Sequence, residues 1–232
     1  MPTDDLLLRP ATDADLPAIV AVQIASRESA AMPPGIHPEH EVTAWLTARL
    51  AADDVWVAES GGAVVGYARI TPGWLDDLYV LPAHAGAGVG SALLDVVKAQ
   101  QPDGFCLWVF EMNTPARGFY ARHGLVELER TDGDGNEEKA PDVRMAWAGA
   151  DPLRFYRGLI DDVDEQLGDL LARRAALTRA VQDHKGGSTR DAEREQQIAA
   201  ALAERAPALG HERLARIVHA IITESIDAAT EL

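Results

Sequence analysis

Apolar positions follow two regimes along the chain. Up to about residue 149 they come in short runs rich in β-branched and aromatic residues, punctuated by Gly and Pro. Leu6–Pro10, 55–59, 64–70, Trp74–Val80, Phe105–Phe110, 126–130 and 143–147 read as strands. Helices are expected between them. Thr12, with Asp15 three residues later, caps one that runs through Ile19, Val22 and Ile24. After the break at Met32-Pro33-Pro34-Gly35 comes another near 38–51, and Ser60-Gly61-Gly62 turns a hairpin. A third helix follows the strand ending at Val80 and reaches about Gln101, and a fourth opens at Asn113 and closes at Gly124. The predicted sheet is mostly antiparallel.

Beyond residue 150 the period changes. Leu153, Tyr156, Ile160, Val163, Leu167, Leu170, Arg174, Leu177 and Val181 are spaced alternately by three and four, the seam of a long helix over Pro152–Lys185 packed along its length. Asp151-Pro152 is its N-cap and first residue. Ser188 is read as the cap of a second helix, with Asp191 in its first turn, running through Ile198 and Leu202. Pro207 and Gly210 break it before a third helix from His211 to about Ile226. The pattern thus divides the chain at the small, unpatterned Ala148-Gly149-Ala150, into residues 1–149 and 150–232. A 34-residue helix is roughly 50 Å long, more than two shorter helices can cover, so the second domain is expected to dimerise with itself.

Composition narrows the classes. The 47% hydrophobic content suits a folded chain, and no stretch approaches the 18 or more apolar residues of a membrane span. Neither the start of the sequence nor its single cysteine suggests export, so a cytoplasmic location is expected, with Cys106 a buried strand residue. A net charge of −16 argues against nucleic-acid partners. Residues 151–232 nevertheless hold 11 basic against 15 acidic side chains, whereas 1–150 hold 10 against 22. Ten of those eleven cations are arginines, the residue suited to gripping carboxylates. Arg174 is the exception in the apolar seam, and a buried cation needs an anion from the protein or from a ligand.

Two stretches carry chemistry in the first half. In Leu81-Pro82-Ala83-His84-Ala85-Gly86-Ala87-Gly88-Val89-Gly90-Ser91 a glycine-rich turn leads from a strand into a helix, an arrangement suited to a diphosphate. Asn113, Ala116, Phe119, Tyr120 and Gly124 mark the capped helix that follows. Together these resemble the GNAT superfamily of acetyl-CoA-dependent N-acyltransferases, over roughly residues 5–148. The resemblance implies that Gly86, Gly88, Val89, Gly90, Ser91 and Asn113 bind the coenzyme, that Leu78 and Val80 pair with its pantetheine arm, and that Tyr120 protonates the leaving thiolate. The first loop position, usually Arg or Gln in the family, is Ala85. Glu28 and Glu111 are candidate bases, each read first as a solvated carboxylate, and His84 is read as surface. Asp132–Lys139 lacks the twelfth-position glutamate of a calcium loop and reads as an acidic hairpin tip, so no metal site is expected.

The second half resembles the all-helical (AroQ-type) chorismate mutases over about 154–229, on Arg157, Arg174, Lys185, Arg190–Glu195 and Ile221–Ser225. The resemblance implies that Arg157 and Arg174 bind the two carboxylates of chorismate, that Lys185 reaches its ether oxygen, and that Asp191, Glu195 and Ser225 position the ring, with no cofactor. Arg157 and Arg174 are 17 residues apart, roughly 25 Å along a helix, so if both hold one small ligand, Arg157 comes from the partner of a dimer. One position departs: Ala229 stands where the family usually has Gln or Glu.

The expectation is therefore an α+β GNAT-like domain, a mixed and mostly antiparallel sheet with flanking helices, followed by an all-α three-helix domain that forms an intertwined homodimer. The chain would be a bifunctional acyltransferase and chorismate mutase of aromatic amino acid biosynthesis, with acetyl-CoA as cosubstrate and a small chorismate-like anion as ligand. Alternatives are a helical domain that acts on isochorismate or an amino-substituted analogue, or only binds and dimerises, and an N-terminal domain that senses acetyl-CoA without transfer.

Overall fold

The structure, a computed structural model, describes residues 6–185 and 191–230. It divides into two compact units, Met1–Tyr156 and Arg157–Leu232.

The first unit is built on one seven-stranded sheet of order β1-β2-β3-β4-β5-β7-β6. The strands are β1 Leu6–Pro10, β2 Asp54–Ser60, β3 Ala63–Thr71, β4 Trp74–Val80, β5 Phe105–Phe110, β6 Val126–Thr131 and β7 Asp142–Trp147. Side chains along a strand alternate between faces, and here both faces are covered. On β2, Val55 and Val57 point to one side, with Ile19, Val22 and Tyr67, under helices α1 (Leu16–Ser29) and α2 (Glu39–Ala52). Trp56 and Ala58 point to the other, where Leu93, Leu94 and Val97 of α3 (Val89–Gln100) and Tyr120 of α4 (Thr114–Arg122) close a second core. Burying side chains such as Leu93 and Leu94 contributes about 1.5–3 kcal/mol each. The predicted capping box is present: Thr12 caps a short 3₁₀ turn, Asp13–Asp15, that leads into α1.

All neighbouring strands are antiparallel except β4 and β5, which are parallel and pair only at Trp74 and Cys106. Beyond that single register the two strands part. β4 also carries a bulge: Arg69 opposes Asp77 and Ile70 opposes Leu75, so Asp76 has no partner on β3.

The small-residue stretch read as the domain boundary is fastened to the first unit. Ala150 N donates to Pro102 O at 3.0 Å, and Phe155 lies on Gly104, where a Cβ would come 2.5 Å from its ring. The units therefore divide between Tyr156 and Arg157, past the predicted 149/150, because a large aromatic in the first turn of the next helix belongs to the sheet's edge.

That helix, α5, spans Pro152–Lys185, with Asp151 accepting the Arg154 amide as its cap. In the second unit it is followed by α6 (Ala192–Arg205) and α7 (His211–Thr230). The cap of α6 is Asp191, whose carboxylate accepts from Arg194 N at 3.0 Å. The sequence had assigned that role to Ser188, which lies outside the described residues. Ala199 of α6 and Leu214 and Val218 of α7 are buried. The seam of α5 is not: Ile160, Val163, Leu167, Leu170, Leu177 and Val181 are all exposed, Leu177 by 61%.

Candidate functional sites

Where β4 and β5 part, a cleft of about 1000 Å³ opens, walled by Leu75–Val80 on one side and Leu107–Phe110 on the other. At one end lie Gly86, Gly88, Gly90 and Ser91 from the turn and first residues of α3, with Asn113, Arg122 and His123 from the two ends of α4. Gly86 and Gly88 have φ of 76° and 88°, a left-handed backbone that L side chains rarely adopt, and this twist brings the chain into α3. The first amides of a helix have no carbonyl partner within it and carry its positive end, so this end of the cleft suits an anion.

The lining also holds acids. Asp76, Asp77 and Asp142 belong to it, with Tyr79 and Asn136. Arg69 lies beneath the bulge and gathers carboxylates: its Nε donates to Asp77 at 2.5 Å, and Nη1 donates to Asp53 at 2.9 Å and lies 3.7 Å from Asp76. The ring of Trp45 covers the same guanidinium at 4.8 Å. Burial pushes the Asp77 carboxyl above the usual carboxylate range although Arg69 pulls it down. Tyr79 is pushed up to about 12 by burial. Ser26 of α1 donates to Val80 O at 2.8 Å, which fixes the end of β4.

Tyr120 of α4 lines the same cleft. It is only 8% exposed and packs edge-on against Phe119 at 5.2 Å. Burial raises its phenol above the ordinary value, with Tyr79 and Asp77 adding to the shift. The hydroxyl thus keeps its proton through neutral pH, as an acid catalyst requires.

The structure brings Leu78, Val80, Gly86, Gly88, Gly90, Ser91, Asn113 and Tyr120 to one cleft. Val89 differs: its side chain is buried in the core, leaving only its amide for a ligand. The Asn113 side chain also has a structural task, accepting from Ala116 N at 3.2 Å to cap α4. His84 is a correction, being half-buried on the cleft wall with its Nδ1 buried and without a hydrogen-bond partner. Neither candidate base lines the cleft; Glu28 is exposed and Glu111 accepts from Arg130 at 2.5 Å. Asp76, Asp77, Tyr79, Arg122 and His123 were not singled out from sequence. The first three lie within β4, where two adjacent acids in an otherwise apolar strand were the available signal.

In the helical unit Arg174 finds its partners on α7. Its Nη1 donates to Ser225 Oγ at 2.6 Å and to Ile221 O at 3.3 Å, and Ser225 is buried. Ser225 in turn donates to Ile221 O at 2.5 Å, which leaves its oxygen as acceptor for the guanidinium. Glu195 is half-buried, with an oxygen 3.8 Å from Nδ1 of His219. Asp191 caps α6, and Arg157 is exposed on α5. The Lys185 side chain lies outside the described residues. Ala229 follows Ser225 by one helical turn and is half-buried.

A parallel strand pair thus parts over a helix N-terminus inside an otherwise antiparallel sheet, the architecture that the GNAT resemblance implies. The chain belongs to the GNAT acetyltransferases, residues 51–127 matching the acetyltransferase (GNAT) domain, and residues 156–230 match chorismate mutase type II. An uncharacterised N-acetyltransferase of Archaeoglobus fulgidus is 32% identical over 40% of this chain and 72% of its own length. The "Probable N-acetyltransferase" of Mycobacterium tuberculosis is 34% identical over 29% of this chain, which spans 44% of that relative. The fold resembles that of yncA, an acetyltransferase of Salmonella typhimurium solved with its cofactor acetyl-CoA, at 22% identity and a TM-score of 0.50 over 64% of this chain and 98% of that one.

Proposed function

We propose that the first unit transfers an acetyl group from acetyl-CoA to an amine, and that the second, as a homodimer, converts chorismate to prephenate. The parting of β4 and β5 beside the N-terminus of α3 carries the first half of this reading. The diphosphate would lie against the amides of Val89, Gly90 and Ser91 and the pantetheine arm along Leu78–Val80, with the thioester near Tyr120. The amine nitrogen attacks the thioester carbonyl, the carbon–sulfur bond breaks, and the sulfur takes the Tyr120 proton; the proton released by the nitrogen restores the phenol. Tyr120→Phe is expected to lower kcat for acetyl transfer across an amine panel by about 10²-fold while KM for acetyl-CoA changes little. Equal activity of the two proteins would remove Tyr120 from the chemistry.

The pairing of Arg174 with Ser225 carries the second half. A guanidinium held at a fixed place by α7 is preorganised for a carboxylate, and a pericyclic rearrangement needs no more than shape and charge stabilisation. Arg157 and Lys185 would complete the pocket, Arg157 from the partner. With Ala229 in place of a donor, turnover is expected about 10²–10³-fold below that of a site that has one. The test follows the absorbance of chorismate: slow loss that disappears in Arg174→Ala supports the mutase, and no loss above the uncatalysed rate rejects it.

A further inference from the structure

His123 ends α4 inside the cleft, held on three sides. Its ring lies 4.4 Å from that of Phe119, its carbonyl accepts from Lys98 Nζ at 2.7 Å, and Nδ1 is 2.8 Å from Phe119 O. A carbonyl oxygen only accepts, so Nδ1 carries a hydrogen, and in the neutral ring Nε2 has none. Nε2 is 3.0 Å from Oγ of Ser91, in the first turn of α3. With the ring neutral, the Ser91 hydroxyl must therefore donate to Nε2 and offers only lone pairs to the cleft. With the ring protonated, Nε2–H donates to Oγ, and the serine hydrogen is released to turn toward the cleft. A proton on His123 thus changes Ser91 from an acceptor to a donor and adds a positive charge beside it.

We infer that His123 is a positioning residue that couples diphosphate binding to uptake of one proton from solvent, switching Ser91 into a donor for a phosphate oxygen. This rests on the reading of the cleft as the acetyl-CoA site. The charged groups around the ring fit the coupling. Lys98 of α3 and Arg122, its neighbour on α4, are cations, and Asp95 of α3 is exposed; a third cation is favoured once a bound anion faces it. His84 lines the same cleft, and His40, exposed on α2 and away from the cleft lining, serves as the control. Histidine is the side chain whose charge ordinarily changes between pH 5 and 8.

The experiment is calorimetric titration with acetyl-CoA lacking its 3′-phosphate, whose diphosphate does not titrate near neutrality, in buffers of different ionisation enthalpy from pH 6 to 8.5. The expected result is net proton uptake on binding within this range, with affinity falling as pH rises. Acetyl-pantetheine, which has no phosphate, should show no uptake. His123→Asn should bind with pH-independent affinity, whereas His40→Asn should keep the wild-type profile. Binding without proton uptake, or a pH dependence that survives in His123→Asn, overturns the inference and leaves the acetyl-CoA site standing. No binding at any pH overturns both.

Discussion

Asp15 shows how much one side chain can hold. Arg9 on β1 grips it bidentately, Nη1 at 2.7 Å and Nη2 at 2.8 Å, and the Thr12 amide and hydroxyl donate to it at 2.8 and 2.9 Å. The Arg9 hydrogen bonds, ahead of those from Thr12, hold its carboxyl well below the usual range. A depressed folded value gives stability that is present above the unfolded value near pH 4 and lost as pH falls toward the folded one. Asp15→Asn is therefore expected to cost about 1–3 kcal/mol in urea unfolding at pH 7 and to flatten the loss of stability below pH 4. A mutant as acid-sensitive as the wild type would refute the assignment. Thr12 and Asp15 were legible in sequence because a capping box is local; Arg9 was not, since it meets them only when β1 lies beside the start of α1. The same distinction separates Ser91 and Tyr120, which sit in short motifs, from Asp77 and His123, whose roles depend on strands and helices converging from elsewhere in the chain. Val89 shows the limit of a motif: it opens α3, and its side chain turns into the core.

At the scale of elements, periodicity served best where it ran longest. The span of α5 follows from nine seam positions in unbroken alternation, and its two ends from Asp151-Pro152 and the following glycines. The strands were equally legible as strands. Their parting was not, because one residue pair of register between β4 and β5, and the bulge at Asp76, are properties of pairing rather than of either strand. The unit boundary escaped for a similar reason: Gly104 adopts φ of 112° and gives the ring of Phe155 its seat, 51 residues later in sequence. Gly104→Ala combines a disfavoured backbone with a collision against that ring. A loss of about 1–3 kcal/mol is expected for the first unit, read by thermal unfolding while acetyl-CoA protects it. Unchanged stability would mean that Phe155 swings away at little cost.

For the whole molecule the exposed seam is the deciding feature. Six large apolar side chains in a row from Ile160 to Val181, left in water, form the kind of surface that protein partners cover. The proposed homodimer would pair this row with its copy on a second chain, and sedimentation of the full chain should then give twice the chain mass. Leu170→Glu puts a charge in the middle of that row and is expected to give the single-chain mass, abolish chorismate turnover and leave acetyl transfer near its original rate. A dimer that persists would place the contact elsewhere. Among the described residues no helix is long and apolar enough to cross a membrane. The fastening of Phe155 on Gly104 has one more consequence, for anyone who wants the halves apart. A cut at Gly149 would strip the sheet of its aromatic plug and leave the helical fragment a greasy ring with nowhere to sit; the boundary between the two units runs through the second turn of a helix, just past Tyr156.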